Sequence, residues 1–310
     1  MERVSVAFDS AGVRCAAWHY PGSNGTCVVM AAGLGVPKEP GTDRFARAFA
    51  AAGFGVLAFD YRGLGASGGG PRQVVRFREQ LRDWDAALAR ARTLDGVDPR
   101  RIAIWGFSAS GGHVLRVAAE HPELGAAIAF APNADGWAGI RNALRETPLR
   151  AMGRLVLAAS RDVAATAVGR APLLVPLTGP AGSVAALTTA DSRNGPRALD
   201  PRGEYRWRPE VAARSAVRIG FDRPGRVAPR IAVPLLVLVH EEDGVAPHEP
   251  AARAGRRAPH GEVVRLPGGH YAGFLDGFDA AVTAQLSFLR RRLVSSPTRT
   301  RSARPPGRTA

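Results

Sequence analysis

The stretch Ile102-Ala-Ile-Trp-Gly106-Phe107-Ser108-Ala109-Ser110-Gly111-Gly112-His113 sets a serine between an apolar, β-branched run and a run of small residues able to open a helix. A tight turn there lifts the Ser108 hydroxyl above the end of a strand, and small neighbours let the backbone bend without a clash. A serine hydroxyl is a weak nucleophile. It needs a general base to take its proton and an acid to orient that base. Two later apolar runs provide both. Asp243 follows Leu235-Leu-Val-Leu-Val-His240-Glu-Glu, and His270 follows Arg265-Leu-Pro-Gly-Gly. Ser108 is thus the expected nucleophile, His270 the base and Asp243 the acid, with Glu242 beside it and Asp135 after an earlier strand as alternatives for the acid.

Attack on a carbonyl creates an oxyanion that needs two fixed donors. The backbone N–H of Ala109, directly after the nucleophile, is one. The other is expected from the Gly-rich loop Ala32-Gly33-Leu34-Gly35, at the N–H of Leu34. His113 reads as a packed residue behind the turn, His240 as a strand-end residue, and His19, His121, His248 and His260 as loop or surface residues. Cys15 and Cys27 read as packed thiols. No His and acid cluster has zinc spacing, and no Gly-rich phosphate-cradling motif occurs, so neither metal nor cofactor is expected.

Positioning such residues requires alternating elements. Apolar runs at Val13 to Trp18, Cys27 to Ala31, Val56 to Phe59, Ile102 to Trp105, Ala126 to Phe130, Leu235 to Val239 and Val263 to Leu266 read as strands. Helical patterns cover Arg44 to Ala52, Phe77 to Thr93, Ser110 to Glu120, His248 to Arg257 and Phe274 to Leu293. Continuous apolar strands separated by helices imply a mostly parallel sheet covered on both faces, an α/β fold. Residues 133–230 break the alternation and are expected to form a largely helical cap over the strand ends. Their apolar stretches, Met152 to Ala159 and Leu173 to Leu177, are expected to line a hydrophobic pocket. The core is then 1–132 with 231–293, and 294–310 is expected to be a disordered basic tail.

These motifs resemble the serine α/β-hydrolase superfamily. The stretch Phe59-Asp-Tyr-Arg-Gly-Leu-Gly-Ala-Ser67 is similar to a D-Y-R-x-x-G-x-S segment of that superfamily. With the G-x-S-x-S-G-G-H and P-G-G-H stretches it resembles a bacterial branch described as peptidase-like or dienelactone-hydrolase-like. Two departures stand out: Ser110 occupies the fifth position of the usual G-x-S-x-G, and Ala32-Gly33 stands where His-Gly is frequent. The resemblance implies an α/β-hydrolase fold and a Ser, Asp, His triad.

The 310 residues, 45% hydrophobic and 22% charged, suit one large globular domain with an insertion and exclude wholesale disorder. There is no signal-peptide pattern and no apolar run of membrane-spanning length, so a cytoplasmic protein without membrane association is expected. The net charge of +15 is unevenly spread. Residues 290–310 hold seven Arg and no acid, and residues 133–233 hold sixteen Arg against eight acids. Of the 42 basic residues only Lys38 is lysine, so the excess reads either as the coding bias of a GC-rich genome or as an anion-binding surface. Nucleic acid is not expected as a partner, because the arginines lack an interleaved aromatic platform except near Tyr205 and Trp207. The expected activity is hydrolysis of an ester, lactone or thioester of a medium to large apolar acyl group, with an acidic carrier protein or a coenzyme A thioester as a further partner. The alternative is a hydrolase fold redirected to lyase or cyclase chemistry, or to binding alone.

Overall fold

The computed structural model describes residues 3–294. In chain order the elements are β1 (Val4–Ser10), β2 (Val13–Tyr20), β3 (Cys27–Ala31), α1 (Lys38–Ala51), β4 (Gly55–Phe59), α2 (Phe77–Ala91), β5 (Ile102–Phe107), α3 (Ala109–Glu120) and β6 (Ala126–Phe130). There follow α4 (Gly136–Glu146), α5 (Leu149–Ala167), β7 (Leu174–Pro176), α6 (Gly195–Leu199), β8 (Glu210–Ala212) and α7 (Ala213–Arg218). The chain closes with β9 (Leu235–His240), α8 (His248–Arg257), β10 (Gly261–Leu266) and α9 (Phe278–Leu289). Eight strands form one sheet in the order β1-β2-β4-β3-β5-β6-β9-β10, parallel from β4 to β10, with β2 antiparallel to both of its neighbours. This is the α/β-hydrolase fold.

Strands β3, β4, β5, β6 and β9 are buried along their whole length, because helices cover both faces. Side chains alternate between the two cores, as the twofold period of a strand demands. From β5, Ala103 and Trp105 face the layer of Phe45, Phe49 and Phe288 from α1 and α9, while Ile102 and Ile104 face Trp84, Leu115 and Ala251 from α2, α3 and α8. All seven strands expected from the sequence are present. β1 was not among them, because Ser5, Asp9 and Ser10 break up its apolar residues at the half-exposed sheet edge. α1 starts at Lys38 rather than Arg44, since Pro40 falls in the first turn, where a missing N–H costs nothing. α9 starts at Phe278, because a 3-10 turn at Ala272–Phe274 precedes it.

Residues 133–230 lie between β6 and β9 in sequence and are predominantly helical, with β7 and β8 paired as a small antiparallel ribbon. Leu173 to Leu177, expected along the pocket, run into that ribbon instead: Val175 and Leu177 are buried within the core. Of the basic tail expected at 294–310, Val294 instead ends a helical turn, Arg290–Val294, and residues 295–310 lie outside those described. Among the described residues no helix is long and apolar enough to cross a membrane.

Candidate active site

The loops at the carboxyl ends of β3, β5, β9 and β10 meet at one place. Ser108 joins β5 to α3 with φ +58° and ψ −116°, a conformation L-residues rarely adopt. Backbone bonds on both sides hold it there. Its N–H donates to Phe130 O at 2.9 Å, and its carbonyl accepts from Gly112 N at 3.1 Å and Asn133 N at 3.0 Å. The close packing that this turn demands falls on Gly106 and Gly111. A Cβ on Gly106 would lie 2.3 Å from Ser110 O, and one on Gly111 would lie 2.9 Å from Pro132 Cα. Position 110 carries a buried serine whose hydroxyl is bonded on both sides.

His270 brings the three expected residues together. Its Nε2 lies 2.9 Å from Ser108 Oγ and its Nδ1 lies 2.7 Å from Asp243 Oδ2. An ionised carboxylate only accepts, so Nδ1 carries the proton and Nε2 accepts from the Ser108 hydroxyl. Asp243 Oδ1 accepts from Val245 N at 3.0 Å and Ala246 N at 2.7 Å. Burial pushes the Asp243 carboxyl above the usual carboxylate range, while His270 and the Ala246 N–H pull it back toward ionisation. The other acids lie elsewhere. Asp135 caps α4 through Trp137 N and pairs with Arg223 at 2.8 Å, and Glu242 is exposed.

The Ala32-Gly33-Leu34 loop crosses directly over this turn. A Cβ on Gly33 would approach Ser108 Cβ to 3.3 Å, and Leu34 lines the same cavity as Ser108. Ala109 opens α3, so its N–H has no carbonyl within the helix to reach. The loop is held from beneath by Ser110, whose hydroxyl bonds the Ala32 carbonyl. Tyr61 Oη lies 2.6 Å from Ser110 Oγ, and Trp84 Nε1 donates to Tyr61 Oη at 2.8 Å. A carbonyl can only accept and an indole can only donate, so the direction is fixed from Trp84 through Tyr61 and Ser110 to Ala32. Alongside, a buried ion pair between Lys38 Nζ and Asp60 Oδ2 at 2.8 Å anchors the start of α1. Ala32 packs where a Cβ on Gly41 of α1 would otherwise sit. The two departures from the motif are therefore linked: Ser110 supports the loop that lacks histidine.

Above Ser108 is a cavity of about 320 Å³. Its walls come from α4 and α5 (Ile140, Met152, Leu155, Val156), from Ala185 to Thr189, from Val217, from Ile219 to Phe221 and from the loop after Asp243, and among the described residues no charged side chain lines it. Of the expected stretch, Met152, Leu155 and Val156 line the pocket. His113 is fully buried, bonded to Gln80 at 2.9 Å, and burial pushes it down to about 3. Cys15 and Cys27 are buried free thiols pushed up to about 12 by desolvation, far from thiolate chemistry at neutral pH. Among the described residues, no group of three or more His, Cys, Asp or Glu is placed to hold a metal ion. One residue of the site has no motif to reveal it in the sequence: Asp191, whose Oδ2 accepts from Gly244 N at 2.9 Å and His270 N at 3.0 Å.

Fold and site geometry define an α/β hydrolase. A family model described as "Serine aminopeptidase, S33" matches residues 26–270, and the chain belongs to that family. It is 37% identical over 296 residues to the quorum-quenching protein AidA of Acinetobacter baumannii, covering 93% of this chain and 94% of the relative. It is 30% identical over 174 residues to the polyketide transferase grgF of Penicillium sp., covering 56% of each. The crystal structure of the α/β hydrolase GrgF from Penicillium sp. sh18 superposes with a TM-score of 0.79 at 24% identity, over 94% of this chain and 99% of that one. DcsB in complex with its substrate analogue superposes with a TM-score of 0.77 at 20% identity, over 94% of this chain and 100% of that one.

Proposed function

We propose that the chain is a serine hydrolase that cleaves an ester, lactone or thioester of a medium to large apolar acyl group through an acyl-Ser108 intermediate. The observation that carries this reading is the Ser108–His270–Asp243 chain of contacts on the floor of an uncharged cavity. As Ser108 Oγ attacks the carbonyl carbon, His270 Nε2 takes the hydroxyl proton and Asp243 stabilises the imidazolium. The oxyanion is met by the N–H groups of Leu34 and Ala109. Collapse breaks the bond to the leaving group, which departs with the proton from His270, and water then releases the acid by the same steps in reverse order.

In this reading residues 133–230 act as the cap, and the acyl chain lies against Ile140, Met152, Leu155 and Val156. Arg141, Arg145, Arg150 and Arg154 stand exposed on the two helices that form that wall. They suit an anionic portion outside the pocket, such as coenzyme A or an acidic carrier protein. The test is a fluorophosphonate labelling reaction followed by a panel of matched ester, lactone, thioester and amide substrates. Labelling at Ser108 with turnover of long apolar acyl esters is expected, and labelling elsewhere or turnover of charged short acyl groups alone would oppose the reading. The polyketide transferase relatives favour a second outcome at the same serine, transfer of the acyl group to an alcohol or amine. An added acceptor that diverts product from free acid to the new ester or amide would show it.

A further inference from the structure

Asp191 sits in a 3-10 turn, Ala190–Ser192, within the segment between β6 and β9, far in sequence from both loops it touches. A single carboxylate oxygen, Oδ2, accepts the N–H of Gly244 at 2.9 Å and the N–H of His270 at 3.0 Å. It therefore grips the peptide just after Asp243 and the peptide of His270 itself. The glycines beside these two residues make room for it. A Cβ on Gly244 would lie 2.7 Å from Asp191 Oδ1, and a Cβ on Gly269 would lie 2.7 Å from Asp191 Cβ. Neither glycine has a left-handed φ, so it is space for Asp191 that requires glycine at both positions, not backbone conformation.

The turn that carries Asp191 is itself anchored to α4. Ala190 N donates to Glu146 Oε2 at 2.8 Å, and Thr147 and Thr188 share a hydroxyl bond at 2.6 Å. From α4, Asn142 Nδ2 donates to Gly244 O at 2.7 Å. Gly244 is thus held at both its N–H and its C=O by residues of the segment that also walls the cavity.

From this geometry we infer that Asp191 is a positioning residue that sets Asp243 and His270 against each other, so that the triad is assembled only when the segment over the pocket is seated. This rests on the Ser108–His270–Asp243 reading above. Asp191 touches no reacting atom and acts through two backbone amides.

Asp191→Ala is expected to lower kcat by on the order of 100-fold, the scale of a misplacement of about 1 Å in a catalytic group, with KM little changed. Asp191→Asn keeps an acceptor oxygen of the same reach and is expected to recover most of that loss. Gly244→Ala should also lower kcat in the wild-type background and cost little more in Asp191→Ala, where the obstructing carboxylate is gone. Full kcat in Asp191→Ala, a loss carried by KM, or Asp191→Asn no better than Asp191→Ala would overturn the inference. Circular dichroism and thermal melts confirm that each variant is folded. The downfield proton resonance of His270 Nδ1–H reads the same contact without turnover. It should persist in wild type and Asp191→Asn and broaden in Asp191→Ala, and an unchanged resonance in Asp191→Ala would again overturn the inference. Ser108→Ala, run in parallel, tests the underlying reading separately: if it still turns over substrate the serine mechanism fails, while the resonance still decides the role of Asp191.

Discussion

Both ring nitrogens of His270 are committed, one to Ser108 at 2.9 Å and one to Asp243 at 2.7 Å, so the imidazole has one tautomer and one orientation. On this geometry Ser108→Ala is expected to lose several orders of magnitude in kcat/KM while its melting temperature stays close to wild type, because alanine keeps the backbone of the turn. Near-normal turnover by the folded variant would remove Ser108 from the mechanism. Asp243→Asn offers Nδ1 the wrong partner and is expected to cost on the order of 10⁴-fold in kcat. Asp135→Asn should cost far less, since Asp135 serves a helix cap and an ion pair with Arg223. Kinetics on the two asparagine variants ranks them, and the reverse order would contradict the arrangement. These three residues were legible in the sequence because each follows an apolar strand in the order that the chemistry needs. Asp191 was not, because its partners are backbone amides and carry no side-chain pattern.

At the scale of elements, the strands that were easiest to read are the ones buried on both faces, such as Cys27–Ala31 and Leu235–His240, where the environment requires an unbroken apolar run. β1 pairs only with β2 at the sheet edge and leaves Val4, Ser5 and Asp9 exposed, so its sequence is mixed. Within 133–230 the short β7–β8 ribbon takes Leu173 to Leu177 away from the pocket, a pairing of two three-residue strands too short to show a period. The relay from Trp84 on α2 through Tyr61 and Ser110 to Ala32 couples one flank of the sheet to the Ala32-Gly33-Leu34 loop. Ser110→Ala leaves the buried Tyr61 hydroxyl without its acceptor and the Ala32 carbonyl without its donor, a cost of about 1–3 kcal/mol for each buried group left unpaired. A melting temperature lowered by several degrees and a reduced kcat with KM retained are expected from denaturation scans and steady-state kinetics. A variant with unchanged kcat would show that the loop keeps its donor without the relay.

For the whole molecule, acid stability follows from two imidazoles kept neutral by burial. His113 is pushed down to about 3 and His240 to about 4, against 6.5 for an ordinary histidine. Below 6.5 the unfolded chain binds protons that the folded chain refuses, so stability falls as pH drops from 6.5 toward 4 and 3. Each group contributes a slope of up to about 1.4 kcal/mol per pH unit. His240→Leu, compared with wild type in melts at neutral pH and at pH near 5, should lose less stability on acidification; equal losses would mean that His240 is not held neutral. The charge pattern bears on capture of substrate. Exposed arginines on α4 and α5 should make kcat/KM for an anionic thioester fall with added salt while that for a neutral ester does not, since exposed charges are screened beyond about 8–10 Å at physiological ionic strength. Equal salt dependence for both would leave the arginine excess without a role in capture. An acyl-Ser108 intermediate is detected by intact-protein and peptide mass spectrometry after rapid quenching of turnover with a long-chain acyl ester. An acyl mass increment on the peptide that carries Ser108, absent in Ser108→Ala, is expected; turnover with no adduct at Ser108, or an adduct on another residue, would contradict it.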